Sequence, residues 1–334
     1  MEMETREQVG GLVAELSASA WALASLDACL EAGLLEYLTE PHSPVELSER
    51  TGVPAALVEA LLDLLAALGL VRRAGDAFTA APGLQPFLTP PARDYLLRDV
   101  RATVLQNRAL IEGAKRGTLR AGWTHTDPEL LEAQGAGSTG APAARMLSER
   151  LFPRLEGLVE RLQAPTASFL DVGFGVGALS IEMCRIWPHL RVVGLEPQAA
   201  PLAEGQRNVA AAGLGERIAL RAQWVEEMTE REAFDLAWLP QVFLPQEAFG
   251  SGLRVVREAL RPGGWAILLA IGAPGSDPRA ALGRLINVLW GGEARSSEEV
   301  ERAAIAAGFD PVRSVPGSPG GLTDATFVVA RRPT

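Results

Sequence analysis

The chain has 334 residues, 48% of them hydrophobic and 22% charged, a globular composition long enough for two cores. Its formal net charge of −10 and pI near 5.0 repel a phosphate backbone, which argues against nucleic acid as a partner. Cys29 and Cys184 lie far apart and outside any CxxC, which excludes a disulfide scaffold or thiolate zinc site and predicts buried thiols in a reducing cytoplasm. No metal site is expected. The opening MEMETREQVGG lacks the basic start and long apolar core of a signal peptide. No apolar run reaches the ~20 residues that cross a bilayer, so no membrane partner is expected either.

Leu12, Leu16, Leu23, Leu26, Leu30, Leu34 and Leu38 recur at helical spacing and predict a helix over 12–38, broken by Pro41 and Pro44. A short helix from Pro44 to Arg50, a turn over Thr51–Pro54, a helix from Ala55 to Leu68 and a hairpin from Leu70 to Thr79 spell a winged helix. Its second helix, AALVEALLDLLAALGL, has no Lys, Arg, Asn or Gln for phosphates or base edges and carries Glu59 and Asp63 instead. Apolar over most of its circumference, it reads as a dimerisation element rather than a DNA reader. Residues 82–91 read as turns, 94–116 as helix, 117–142 as a connecting segment and 143–163 as helix ending at Pro165. Beyond it, strands are predicted at 168–172, 191–195, 217–221, 234–239, 264–271, 309–314 and 325–331. Helices lie between the first five and at 296–307. This alternation predicts an α/β domain with a mostly parallel sheet of seven strands. The last two strands, joined through Pro316–Gly321, would form an antiparallel hairpin at its edge.

The most informative stretch is Phe169-Leu170-Asp171-Val172-Gly173-Phe174-Gly175-Val176-Gly177, an apolar strand running into a glycine turn with a helix from Ala178. Glycines permit positive φ and let a ligand lie against the backbone. The spacing differs from G-x-G-x-x-G because the third glycine comes one residue early. Asp171, just ahead of the turn, would repel a pyrophosphate and suits the ammonium and sulfonium charges of S-adenosylmethionine. Glu196 closes Val192-Val193-Gly194-Leu195-Glu196, 25 residues after Asp171. An acid at the end of the second strand is where a ribose diol is held in doubly wound sheets.

Together with the later turn Leu260-Arg261-Pro262-Gly263-Gly264-Trp265, these stretches resemble the Rossmann-like class I methyltransferases. The whole chain resembles their small-molecule O-methyltransferase branch of plant phenolic and bacterial natural-product pathways. There, a winged helix dimerises and a helical linker leads to the catalytic domain. The resemblance implies three parts: a dimerisation domain over 1–92, a linker contributing to the substrate pocket over 93–164, and a catalytic domain over 165–334. It assigns the methionine moiety to Asp171, Gly173, Gly175 and Gly177, and the ribose to Glu196. The usual Gly-Asp-aromatic after the third strand is replaced by Arg221-Ala222-Gln223-Trp224, leaving Gln223 and Trp224 for the adenine. The product would be S-adenosylhomocysteine.

The family's histidine base, just after the fourth strand, falls here near Leu244, in Trp238-Leu239-Pro240-Gln241-Val242-Phe243-Leu244. His189 sits on the amino-terminal side of the strands and His42 in a Pro-flanked turn, so His125 in the linker is the remaining candidate base. Gln134, Ser138, Gln241, Asn287 and Trp290 are the candidate acceptor-binding residues. Orientation alone can supply ~7–11 kcal/mol in such a displacement, so an acceptor already deprotonated needs no base. The expected function is methyl transfer to an aromatic or polyketide-like acceptor, O-transfer first and N- or C-transfer behind it, by a homodimer. Two rivals stand beside it: a cofactor-binding enzyme with non-methylating chemistry, and a non-catalytic winged-helix regulator that senses the cofactor.

Overall fold

The structure, a computed structural model, describes residues 2–271, 275–317 and 325–334. It divides into two compact units, one of residues 1–112 with 136–138, the other of 113–135 with 139–334. These compact units do not coincide with the three functional parts expected at 92 and 164. Most of the 94–116 helix belongs with the first unit, and most of the remaining linker with the second.

The first unit opens with α1 (Glu2–Glu31), continues through a 3-10 turn (Leu34–Thr39), α2 (Pro44–Thr51) and α3 (Ala55–Ala67), and adds a hairpin of β1 (Val71–Ala74) and β2 (Ala77–Ala80). The predicted winged-helix order is present. Ser43 starts α2 through a capping box with Glu46, and Gly52, at φ 75°, ends it. Leu34, Leu38, Leu47, Val58, Leu62, Leu65 and Phe78 form the core. Arg73 of the hairpin is gripped by Asp63 (2.6 Å) and Glu59 (2.7 Å) of α3, which commits this one of the hairpin's two arginines to the helix behind it. The 12–38 helix of the sequence reading begins earlier and stops at Glu31, because Gly33 turns the chain at φ 68°. Along α1, Val9, Leu12, Val13, Leu16 and Trp21 are each more than half exposed. Over Glu7–Glu31 this helix has the length and composition of a membrane span, although its apolar residues form no unbroken run.

α4 (Ala92–Arg116) follows, then α5 (Pro128–Thr139), where the sequence reading placed a connecting segment. Glycine and serine suggested a loop, yet two of these glycines are packing positions. A Cβ on Gly135 would lie 2.2 Å from Val176, and one on Gly137 would lie 2.9 Å from the Asp99 backbone. The helix expected over 143–163 is interrupted: α6 (Ala141–Met146) passes through a π turn and a 3-10 turn containing Pro153 before α7 (Leu158–Gln163).

The second unit is built on β3 (Ser168–Val172), α8 (Ala178–Ile186), β4 (Arg191–Leu195), α9 (Ala199–Ala211), β5 (Ile218–Arg221), β6 (Phe234–Leu239), α10 (Gln246–Ala259), β7 (Leu260–Ile271), α11 (Pro278–Trp290), α12 (Ser297–Ala306), β8 (Val312–Pro316) and β9 (Ala325–Arg331). The strand order is β5-β4-β3-β6-β7-β9-β8, parallel from β5 to β7 and antiparallel at β9 and β8. This is the predicted class I architecture. The Ser318–Gly321 part of the expected hairpin turn lies outside the described residues. β6 is buried along its whole length, as a strand covered on both faces must be. One apolar layer includes Phe152, Phe169, Leu179 and Trp265, and the other Leu170, Leu195, Phe249 and Val300. At the amino-terminal edge, buried Asp235 accepts from the Ser168 backbone (3.0 Å) and from Arg261 (2.5 Å), closing the end of the sheet opposite the ligand-binding side. The chain reverses its direction of growth at β3, so the carboxyl ends of β3, β4 and β6 border the crevice where doubly wound sheets bind ligands.

Candidate functional site

From Val172 the chain turns through Gly173, Phe174, Gly175, Val176 and Gly177 into α8. The three glycines adopt φ of 72°, 57° and 83°, a region that side chains rarely enter. The Gly173 and Phe174 N–H groups both donate to the Leu195 carbonyl at 2.9 Å, stitching the turn to the end of β4. Phe174 points inward. A Cβ on Gly177, Gly194 or Gly205 would lie 2.4, 2.3 or 3.0 Å from its ring, so three glycines make its socket. A Cβ on Gly205 would also come within 2.7 Å of the Gly175 carbonyl. A Cβ built at Gly175, by contrast, meets only the Gly173 carbonyl at 3.9 Å, leaving an open cradle above the turn.

Glu196 sits buried at the end of β4. Its Oε2 accepts from the Gly175 N–H and its Oε1 from the Gln198 N–H, both at 3.0 Å. Burial pushes this carboxyl up against the pull of those two bonds, and each oxygen has a further lone pair for a diol. Asp171, 2% exposed, accepts from the Ser180 hydroxyl at 2.6 Å. Burial lifts its carboxyl to about 7, opposed by the Ser180 bond and reinforced by the charge of Glu196. Two buried carboxylates beside an open glycine turn fit a ligand with a diol and a positive charge. After β5, Gln223 is half-buried and Trp224 is 47% exposed, leaving an indole face available at the adjoining strand end.

α5 runs against the same turn. Asn208 of α9 donates to the Val176 carbonyl and to Glu132 of α5, both at 3.1 Å, and Gly135 lets the helix close on Val176. Gln134 on α5 is half-buried. Ser138, one helical turn beyond Gln134 on the same helix, is exposed and groups with the first unit.

At the carboxyl end of β6, Gln241–Phe243 form a 3-10 turn, and Leu244 is buried where the resemblance places a histidine. Phe243 stacks on Trp290 (centroids 5.1 Å, planes 7° apart), and Trp123 meets both edge-on at 5.8 and 6.1 Å. His125 packs edge-on against Trp123 at 4.8 Å. Burial holds its imidazole below the usual histidine range, against the opposing charge of Asp127, so the ring is neutral near pH 7. This brings His125 and Trp290 into one aromatic wall. Gln241 and Asn287 are fully buried beside it. Gln241 Oε1 accepts from Arg295 at 2.7 Å. Asn287 Nδ2 donates to the Ile271 and Gly283 carbonyls at 2.9 and 2.8 Å, fastening α11 to the end of β7. His189 is exposed on the amino-terminal side of the sheet and His42 bridges to Phe78, so neither joins the site.

Sequence reasoning did not assign Gly194, Gly205, Ser180, Asn208 or Trp123. A glycine inside a strand and another inside a helix were the available signals for the first two.

Residues 169–264 match the family described as a methyltransferase domain. A release factor glutamine methyltransferase of Cereibacter sphaeroides is 31% identical over 249 residues, covering 60% of this chain and 86% of that protein. The chain belongs to the S-adenosylmethionine-dependent methyltransferases. This methyltransferase is also 29% identical over 231 residues to the 3-hydroxy-5-methyl-1-naphthoate 3-O-methyltransferase of Streptomyces sahachiroi. That match spans 62% of this chain and 61% of the relative, so about two fifths of the relative lies outside it. An O-methyltransferase family protein from Burkholderia thailandensis superposes with a TM-score of 0.66 at 19% identity, over 98% of each chain, a likeness that shows the fold.

The folded value of the Asp171 carboxyl, about 7, exceeds the ordinary 3.8, so the ligand-free methyltransferase loses stability from this group as pH rises from about 4 to 7. A cationic ligand favours the ionised form, so below about pH 7 its binding expels a proton and its affinity climbs with pH, levelling off above. Calorimetry with S-adenosylhomocysteine in buffers of different ionisation enthalpy reads that proton. Asp171→Asn abolishes the release and flattens the pH profile.

Proposed function

We propose that this protein transfers the methyl group of S-adenosylmethionine to a small aromatic acceptor. The observation that carries the reading is the open glycine turn flanked by buried Asp171 and Glu196. Asp171 would face the ammonium, Glu196 the ribose hydroxyls, and Gln223 with Trp224 the adenine. The bound cofactor supplies an activated methyl on a sulfonium. The chain's part is to hold, orient and exclude water. Val176, backed by Gly135, and the α5 helix latched through Glu132 and Asn208 would shield the methionine end.

The aromatic wall of Trp123, Phe243 and Trp290 suits a planar acceptor. The naphthoate O-methyltransferase relative supports an aromatic one and an oxygen nucleophile. Buried Leu244 can take no proton. Neutral His125 is the one imidazole at the wall and would accept a proton where the acceptor arrives protonated. For acceptors already ionised, orientation suffices. Incubation with S-adenosylmethionine and a panel of hydroxylated naphthoates and phenols is expected to give a 14 Da gain in at least one. His125→Ala would slow phenols of high pKa and spare those ionised at the assay pH. No gain from any acceptor, with the cofactor bound, would favour non-methylating chemistry on the same scaffold.

We further propose a homodimer formed through the first unit. The support is the run of more than half-exposed Val9, Leu12, Val13, Leu16 and Trp21 on α1, with Leu57 and Leu68 at α3. The pairing of Arg73 with Glu59 and Asp63 and the net charge of −10 both weigh against nucleic acid. The two buried free thiols suit a reducing cytoplasm. Light scattering is expected to give twice the 35.4 kDa chain mass in detergent-free buffer. Leu12→Glu with Leu16→Glu would reduce it to one chain, whereas a wild-type monomer, or recovery only from membranes, contradicts the dimer.

A further inference from the structure

Four described side-chain atoms are buried without a hydrogen-bond partner, and two of them, Gln241 Nε2 and Asn287 Oδ1, belong to one corner of the fold. Gln241 follows β6, and Asn287 lies on α11, which follows β7. Gly292 joins their backbones: its N–H donates to the main-chain carbonyl of Asn287 at 3.0 Å, and a Cβ on it would lie 2.9 Å from the main-chain carbonyl of Gln241. Their remaining bonds fix their polarity. Arg295 donates to Gln241 Oε1, so the atom left unpaired is an N–H donor. Asn287 Nδ2 donates to two carbonyls, so the atom left unpaired is a carbonyl acceptor. Each amide is followed on its own element by a ring of the aromatic wall: Phe243 two residues after Gln241, and Trp290 one helical turn after Asn287.

A buried amide atom without a partner is costly, and an orphaned donor and acceptor of opposite sense at one corner invite a group that satisfies both. We propose that Gln241 and Asn287 read one edge of the aromatic acceptor. That edge carries a carbonyl oxygen, which takes the Gln241 N–H, beside an N–H or O–H that donates to Asn287 Oδ1. The acceptor class is therefore an aromatic carboxamide or an aromatic with adjacent carbonyl and hydroxyl. This rests on the acceptor reading above and names its polar edge. Arg295 is a positioning residue, since it holds the Gln241 amide with the donor free.

Calorimetric titration of the full chain loaded with S-adenosylhomocysteine tests it, using 2-naphthamide, which has both groups, and 2-acetonaphthone, which has the carbonyl alone. The amide is expected to bind about tenfold tighter than the ketone, the worth of one satisfied buried polar group. Gln241→Glu keeps the shape and pairs with Arg295 but replaces the donor with an acceptor. It is expected to weaken 2-naphthamide at least tenfold and leave S-adenosylhomocysteine affinity within twofold. Equal binding of the two probes, no binding of either, or an unchanged 2-naphthamide affinity in Gln241→Glu overturns the inference and leaves the amides as internal packing. Failure of S-adenosylhomocysteine to bind the wild type overturns the cofactor reading instead.

Discussion

Everything at the ligand side of the sheet depends on one buried ring. Phe174 sits in the middle of the glycine turn yet faces the protein interior, and it fits because Gly177, Gly194 and Gly205 come from three successive pieces of the chain with no side chain in its way. The ring thereby locks the turn to β4 and α9, and the Leu195 carbonyl holds it from above through two N–H groups. With the turn pinned in this way, the Gly175 N–H lands on Glu196, and the face over Gly175 stays open. A methyl group at any of the three socket glycines would move the backbone that is meant to meet a ligand.

The electrostatics of the cradle follow from the same burial. Asp171 and Glu196 are both removed from water, and the carboxyl of each is raised above its ordinary range in the ligand-free protein. Such a pair is poorly solvated without a cation and well matched to one. At the aromatic wall the polarity reverses. Arg295 is buried against Gln241 and over the Phe249 ring at 4.4 Å, and the wall beside it is aromatic. The two halves of the crevice thus suit a cationic ligand on one side and a planar, oxygen-bearing one on the other.

The sheet was legible because most of its strands carry apolar runs, and all seven predicted ranges lie within four residues of the observed ends at both termini. Asp171 and Glu196 were legible because their positions at strand ends are dictated by the fold. α5 was not, since its glycines look like a loop until the close approach of Val176 explains Gly135. The Phe174 socket was hidden for a related reason: the three glycines are far apart in sequence and mean nothing until α9 packs beside the turn. Asn287 read as a pocket residue, but two of its bonds serve α11 and β7, and only its carbonyl is left for a ligand.

Gly205→Ala tests directly whether this socket shapes a cofactor site, because the added methyl would sit 2.7 Å from the Gly175 carbonyl. Calorimetric titration with S-adenosylhomocysteine, alongside thermal unfolding, is the measurement. Saturable binding by the wild type is expected, and a large loss of affinity in Gly205→Ala with a cooperative unfolding transition retained. A variant that binds like the wild type, or a folded wild type that does not bind, would contradict that role for the socket.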